Sequence, residues 1–241
     1  MWVPCVLNQD RVKDGDSVVT FGSIYTGNYS YIGPPITEWN QGETGIAIKS
    51  SVGKFGEFYI AKYESGILGT KDNFTLYNEN GILTPTTSKP LSQQGKGVWN
   101  NISQSDAEKI SKLMLASSTE VKSDLISGEC WDTTLQWIKN TNDSTYDENS
   151  QGKGNYDEDA NTNNWKGKIT TTGSLRAYEK NNIYDMAGNA LEWTTEYGTF
   201  NGTNYFVSRG GFYKQKQEEI FSASRRFMEL VMVQIMIKVF E

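Results

Sequence analysis

The chain has 241 residues, with 23 Lys and Arg against 29 Asp and Glu for a net charge of −6, no histidine, two cysteines, and 12% aromatic residues. Its length is enough to bury a sizeable core, and its aromatic content excludes an unstructured chain. An acidic balance, with a pI of about 4.9 and no Lys/Arg run, excludes a duplex nucleic-acid binder, which needs clustered cations on phosphates.

No apolar run reaches the roughly 18 residues a membrane helix needs, so no membrane span is expected. The start, Met1-Trp2-Val3-Pro4, carries no signal peptide. Without histidine there is no Ser-His-Asp or Cys-His nucleophile, no His-ligated zinc and no facial-triad iron. Cys5 and Cys130 are too far apart in sequence for a metal-binding spacing. They are either one disulfide or free thiols, with a buried thiol the expectation for Cys130. What remains for chemistry is carboxylates, Lys, Tyr, a lone thiol or a hard cation, and this composition leans away from catalysis.

From Trp2 to about residue 100 the pattern predicts short strands and turns. Phe58 to Tyr63 is aromatic and β-branched between Gly56 and Glu64-Ser65-Gly66, the signature of a buried strand. Residues 69–101 are rich in Gly, Asn, Thr and Pro and predict surface loop. Ser105-Asp106-Ala107-Glu108 is a capping-box pattern, followed by Ile110, Leu113, Met114 and Ser117 at helical spacing. A second helix opens at Ser127-Gly128-Glu129, with Trp131, Leu135 and Ile138 on one face, read as core packing.

Residues 139–164 are polar and predict a long loop. Within it Asp147, Asn149, Gly152 and Glu158 match four positions of an EF-hand calcium loop, but Gln151 and Gly154 break the pattern and no helices flank it. A solvated acidic loop is the preferred reading.

From residue 182 the spacing becomes specific. Asn182-Ile183-Tyr184-Asp185-Met186-Ala187-Gly188-Asn189-Ala190-Leu191-Glu192-Trp193-Thr194, then Ser208-Arg209-Gly210-Gly211-Phe212-Tyr213, then Ser222-Ala223-Ser224-Arg225-Arg226 resembles, in order, the signature of the formylglycine-generating enzyme (sulfatase-modifying factor) family. Upstream, Phe58 to Glu64 resembles the family's first core strand, and the two helical segments fall where its helices lie. The resemblance implies one domain over residues 1–241, an α+β fold of the C-type lectin-like type with little regular secondary structure. Two helices would pack on short, mostly antiparallel strands.

The resemblance also implies a calcium ion held by the Asp185 carboxylate, the Gly188 and Ala190 carbonyls and the Glu192 carboxylate. That mix of hard oxygens suits Ca²⁺. The alternative is that Asp185 caps a turn and Glu192 pairs with an arginine such as Arg209. The family's oxidase holds copper with two cysteines after the Arg-Gly-Gly turn. Here Ser222 falls on the second and the first falls near Gln217, so neither copper nor iron is expected.

The reading is a non-catalytic binding or display module for a protein or carbohydrate ligand, bacterial or phage-borne; its localisation is not read from the missing signal, a cell surface or a phage particle being settings open to such a module. A formylglycine-generating oxidase and an inactive truncated product are its alternatives. Some relatives vary their sequence after Arg-Gly-Gly, which by resemblance would make Phe212, Tyr213, Lys214, Gln215, Lys216, Gln217 and Glu218 face a ligand; the run from Lys214 equally reads as a solvated turn. Trp165, Tyr197, Tyr205 and Tyr213 are aromatic candidates for stacking, each with core packing as the alternative.

Residues 228–241 hold three of the six methionines and no Gly, Asn, Ser or Thr. Val231, Val233, Ile235, Ile237 and Val239 alternate as in a strand. The same codons, one nucleotide out of frame, permit an Asn/Gly-rich loop ending in Gly-Phe-Arg, the ending of family members. The expectation is a frame change near residue 228, together with a shortened N-terminus.

Overall fold

The computed structural model describes residues 1–8, 10, 12, 17–22, 31–32, 36, 39–67, 90–100, 102–147, 152–157, 167–215, 225–227, 233–235 and 237–240. In chain order the elements begin with β1 (Trp2–Val6), β2 (Val19–Thr20), β3 (Tyr31–Ile32), β4 (Trp39–Asn40), α1 (Gly42–Phe55), β5 (Glu57–Ile60), β6 (Gly66–Ile67) and β7 (Gly97–Val98). They continue with α2 (Gln104–Ser111), β8 (Lys122–Leu125), α3 (Gly128–Thr141), β9 (Glu179–Lys180), β10 (Ile183–Tyr184), β11 (Leu191–Phe200) and β12 (Thr203–Arg209). The last are β13 (Arg225–Phe227), β14 (Val233–Ile235) and β15 (Ile237–Phe240). The class is α+β: three helices on small mixed sheets among the described residues.

Helix α3 follows directly from its sequence. Ser127 is extended, and its side chain accepts from the Cys130 N–H at 3.2 Å, satisfying one orphan donor of the first turn. Trp131, Leu135 and Ile138 then fall on one face, all fully buried. Helix α2 begins two residues before the predicted box. Its cap is Ser103, whose hydroxyl accepts from the Asp106 N–H at 3.2 Å, and the helix ends at Ser111, leaving Leu113 exposed in the turns beyond.

Helix α1 corrects the expectation of only strands and turns before residue 100. Gly42, Gly45 and Gly53 and several β-branched residues give it poor intrinsic propensity, and Gln41 supplies no side-chain cap. Tertiary packing forms it, through Ile48 and Val52 in the core, and Gly56 stops it in a left-handed conformation with its N–H on the Val52 carbonyl at 2.8 Å.

The predicted 58–63 strand is also shorter. It ends at Ile60 and alternates, with Phe58 and Ile60 buried and Tyr59 44% exposed. One face meets the core and the other meets solvent.

Two sheets organise these elements. The five-stranded sheet runs β2-β1-β5-β15-β8, with β1 parallel to β2 and antiparallel to β5, and β15 antiparallel to both β5 and β8. The six-stranded sheet runs β14-β11-β12-β13-β3, with β4 added to β11. The alternating C-terminal segment thus enters both sheets, as β14 parallel to β11 and as β15. One core cluster joins β1, α1, β5 and α3 through Val3, Ile48, Phe58 and Trp131, and reaches Tyr146, Tyr156 and Met186. A second joins α2 to β8 and β11 through Ile110, Leu125, Leu191 and Trp193.

Cys5 on β1 and Cys130 on α3 are both free thiols in the first cluster. Burial, then Cys130, then Glu57 push the Cys5 thiol up, so it stays protonated. No helix among the described residues is long and apolar enough to cross a membrane.

Sheet and helices meet at Arg209, which is fully buried. Its guanidinium lies 3.1 Å from Asp132 on α3 and 2.8 Å from Glu196 on β11. Burial works against this charge, and the two carboxylates overcome it, holding the guanidinium above its usual range. Removing one member of a buried ion cluster strands the others without compensation. Arg209→Met is therefore expected to cost about 3–5 kcal/mol, read as a drop of roughly 6–20 °C in melting temperature. A variant melting within about 2 °C of the parent would show that the cluster contributes little.

Candidate functional site

The segment from Asn181 to Asn189 bends through left-handed conformations that non-glycine residues seldom adopt. Asn181, Asn182, Asp185 and Asn189 have φ of 52°, 62°, 61° and 60°, and Gly188 has 79°. Asn and Asp tolerate this region best, which accounts for their density here. Gly188 has a second reason to be glycine. A Cβ there would lie 2.7 Å from the Asn155 backbone, with which it forms a parallel bridge.

The motif is locked against the Arg-Gly-Gly corner. The Gly188 N–H donates to the Gly210 carbonyl at 2.8 Å, and the Tyr156 hydroxyl donates to the same oxygen at 3.1 Å. The Tyr213 N–H donates to the Asn189 carbonyl at 3.1 Å.

Asn189 organises the interior. Its Oδ1 accepts from the Thr170 N–H at 2.9 Å and from Asn155 Nδ2 at 3.1 Å, while its own Nδ2 donates to Glu64 Oε2 at 2.6 Å. That last bond joins the turn after β5 to the motif. Glu64, Asp185 and Glu192 are all essentially without solvent contact.

Asp185 Oδ2 accepts from the Gly173 N–H at 2.8 Å, whereas Oδ1 has no hydrogen-bond partner. Neither carboxylate oxygen of Glu192 has a hydrogen bond of normal geometry, its own amide N–H offering only a weak favourable contact. A Cβ on Gly210 would stand 2.2 Å from Glu192 Oε2, so glycine at 210 gives that carboxylate its room.

Three buried carboxylates, with orphaned oxygens on Asp185 and Glu192, set up a mutual repulsion. Burial pushes Asp185 up to about 7, opposed only by the Gly173 N–H. Burial, then the charges of Glu64 and Asp185, push Glu192 well up. Burial and then Asp185 do the same to Glu64, against the Asn189 and Ala190 hydrogen bonds. The Tyr146 phenol is raised by burial, then Tyr156, then Asp185 and Glu192.

The arginine pairing considered for Glu192 is corrected. Glu192 stands opposite Arg209 in the β11–β12 ladder, yet the guanidinium is committed to Asp132 and Glu196. A β-bulge between Trp193 and Tyr197 accompanies that arrangement.

Unpaired buried oxygens of this kind suit a hard cation, whose charge would relieve all three acids. Among the described residues no three His, Cys, Asp or Glu side chains converge closely enough to hold an ion by themselves. An ion here needs backbone carbonyls as well as Asp185 and Glu192, and the family resemblance implies those of Gly188 and Ala190. Glu64 and Asn189 are the site residues that the sequence pattern does not single out. The only signal for Glu64 is a lone acid closing an apolar strand.

In the alternative calcium loop, Asp147 is buried and paired with Lys139 at 2.9 Å, while Asn149 and Glu158 lie outside the described residues. Of the stretch after Arg-Gly-Gly, Phe212 and Tyr213 pack edge-to-face at 6.0 Å and Gln215 Oε1 accepts from the Phe212 N–H at 3.0 Å. Tyr213 and Gln215 are buried and Lys214 is exposed. Lys216, Gln217, Glu218 and Trp165 lie outside the described residues. Tyr197 and Tyr205 are half-buried.

The geometry defines an α+β protein whose left-handed Asp-to-Asn motif and Arg-Gly-Gly corner enclose a buried acid cluster. The chain belongs to the formylglycine-generating enzyme/sulfatase-modifying factor family: the model of the sulfatase-modifying factor enzyme 1-like domain matches residues 97–236. Comparison with curated proteins and with solved structures gives no match.

The raised acids set a pH dependence for the stability of the chain without metal ions. Between about pH 4 and about pH 7 the folded chain keeps a proton on Asp185 that the unfolded chain has released, and Glu64 and Glu192 act in the same direction. More protons bound in the folded state means that stability falls as pH rises through this window. In EDTA the melting temperature is therefore expected to be higher at pH 5 than at pH 7.5. An equal or higher value at pH 7.5 would show that these acids are not held protonated.

Proposed function

We propose that this chain is a non-catalytic, calcium-stabilised binding module: a family member with the C-type lectin-like arrangement that keeps the scaffold without the copper chemistry. The observation that carries this reading is the placement of its thiols. The chain has two cysteines, and both sit in the core, on β1 and α3, so neither occupies a position after Arg-Gly-Gly. The serine at 222 falls where the family's oxidase has a thiolate, and a hydroxyl is no substitute for Cu(I) binding. With no histidine in the chain, an imidazole-ligated iron has no ligands either.

Asp185 and Glu192 would hold Ca²⁺ with the Gly188 and Ala190 carbonyls. The ion supplies charge neutralisation and no reaction step. Around it, Asn189 holds Glu64, Gly173 orients Asp185, and the glycine at 210 leaves space for Glu192. A protein or carbohydrate ligand would be met by loops on this rigid base, in a bacterial or phage-borne display setting.

Thermal melts with excess Ca²⁺ and with EDTA test the proposal. A site filled at a hundred times its dissociation constant adds about 2.7 kcal/mol, a rise of roughly 5–10 °C for a chain of this size. Glu192→Gln is expected to abolish the rise. A cooperative melt indifferent to calcium would remove the ion from the account. Oxygen-dependent loss of a substrate peptide's thiol in the presence of copper would establish the oxidase alternative instead.

A further inference from the structure

A cleft of about 380 Å³ opens where β4, the first turns of α1 and α3, and β11 meet, bordered by Asn40, Gln41, Glu43, Lys49, Glu129 and Tyr197. That volume lies in the range of small-molecule sites. The stretch from β4 to Lys49 lies outside the family-matched residues, and neither the acid cluster nor the loop after Arg-Gly-Gly borders the cleft.

Its floor is fixed by Gln41. The Gln41 carbonyl accepts from Thr195 Oγ1 at 2.7 Å, Oε1 accepts from the Glu129 N–H at 3.0 Å, and Nε2 reaches Glu196 Oε1 at 3.4 Å. Through Glu196 the floor is anchored to the buried Arg209, so it does not have to reorganise when a ligand arrives.

The lining has a definite chemistry. Tyr197 and Asn40 stand opposite each other in the β4–β11 ladder and so share a face of the sheet. Asn40, Glu43 and Lys49 are exposed and supply amide, carboxylate and ammonium groups at the rim. Trp39 and Ile46 join Tyr197 as the apolar part of the lining, beside the Gln41 amide and the Gly42 and Gly45 backbone, so polar groups lie next to an apolar surface. Two carboxylates against one ammonium disfavour an anion.

We infer that this cleft is a binding site for a neutral saccharide. Its hydroxyls exchange hydrogen bonds with Asn40, Glu43 and Lys49, and one sugar face lies on the Tyr197 ring. The inference rests on the binding-module reading, but not on the calcium ion.

The full chain in calcium-containing buffer is titrated with cellohexaose, maltohexaose and chitohexaose, and with hexagalacturonate as the acidic control. Binding is read by calorimetry and by tryptophan fluorescence, since Trp39 borders the cleft. At least one neutral hexasaccharide is expected to bind while hexagalacturonate does not. Tyr197→Ala and Glu43→Arg are each expected to weaken binding more than tenfold at an unchanged melting temperature.

If Tyr197→Ala fails to fold, Glu43→Arg and a blocking Ile46→Arg, at a residue 73% exposed in the lining, carry the test. Three results would overturn the site: no neutral sugar bound, acidic sugar bound equally well, or variants that bind as the parent does. Sugar binding with a calcium-indifferent melt would sink the calcium reading alone. A calcium-dependent melt with no sugar bound would sink this site alone.

Discussion

Arg209 carries a positive charge where no water reaches it, and the arrangement around it determines how the helices sit on the six-stranded sheet. An isolated buried guanidinium would be prohibitively costly, so Asp132 must come from α3 and Glu196 from β11. Those two contacts fix α3 against the sheet. Glu196 then engages Gln41, whose own bonds to Thr195 and Glu129 bind the start of α1 to the start of α3. A helix with three glycines and no side-chain cap acquires its position from this chain of polar contacts and from Ile48 and Val52 beneath it.

On the neighbouring stretch of the same strand the balance is opposite. Glu192 and Asp185 are buried with oxygens that nothing protein-borne satisfies, and Glu64 adds a third acid. The chain thus places one compensated and one uncompensated acidic cluster along β11 and its approach. The first is closed by an arginine. The second is organised by Asn189, whose amide reaches three segments at once: the turn after β5, the loop at Asn155 and Thr170, and the motif itself. Polar groups in such a setting rigidify the structure when satisfied and destabilise it when they are not.

Local chemistry was legible in the sequence, and long-range chemistry was not. The Ser127 cap and the Trp131, Leu135, Ile138 face lie within a dozen residues, so α3 could be read directly. At α2 the sequence points to a box at Ser105, whereas the cap is Ser103, which is extended at φ −70°, ψ 156°. The acids at 185 and 192 stood out through the motif and its family resemblance. Glu64 did not, because its partner Asn189 is 125 residues away and nothing in either neighbourhood announces the other. Helix α1 was hidden for the same reason: its stability comes from what it packs on rather than from its own residues. The alternative pairing of Glu192 with Arg209 fails because strand register alone does not say where a long side chain reaches.

The position of β15 has a consequence for how the molecule is made. It is an inner strand of the five-stranded sheet, between β5 and β8, with Val239 opposite Tyr59 and Ile237 opposite Leu125. Until β15 is available, β5 and β8 present bare edges to each other, and β5 is paired on its β1 side alone. A sheet closed by so distant a segment carries a high contact order. The chain emerging from the ribosome must therefore have extended past Phe240 before this sheet can zip shut. Until then the open strand edges are where chaperones, or other copies of the chain, would first take hold.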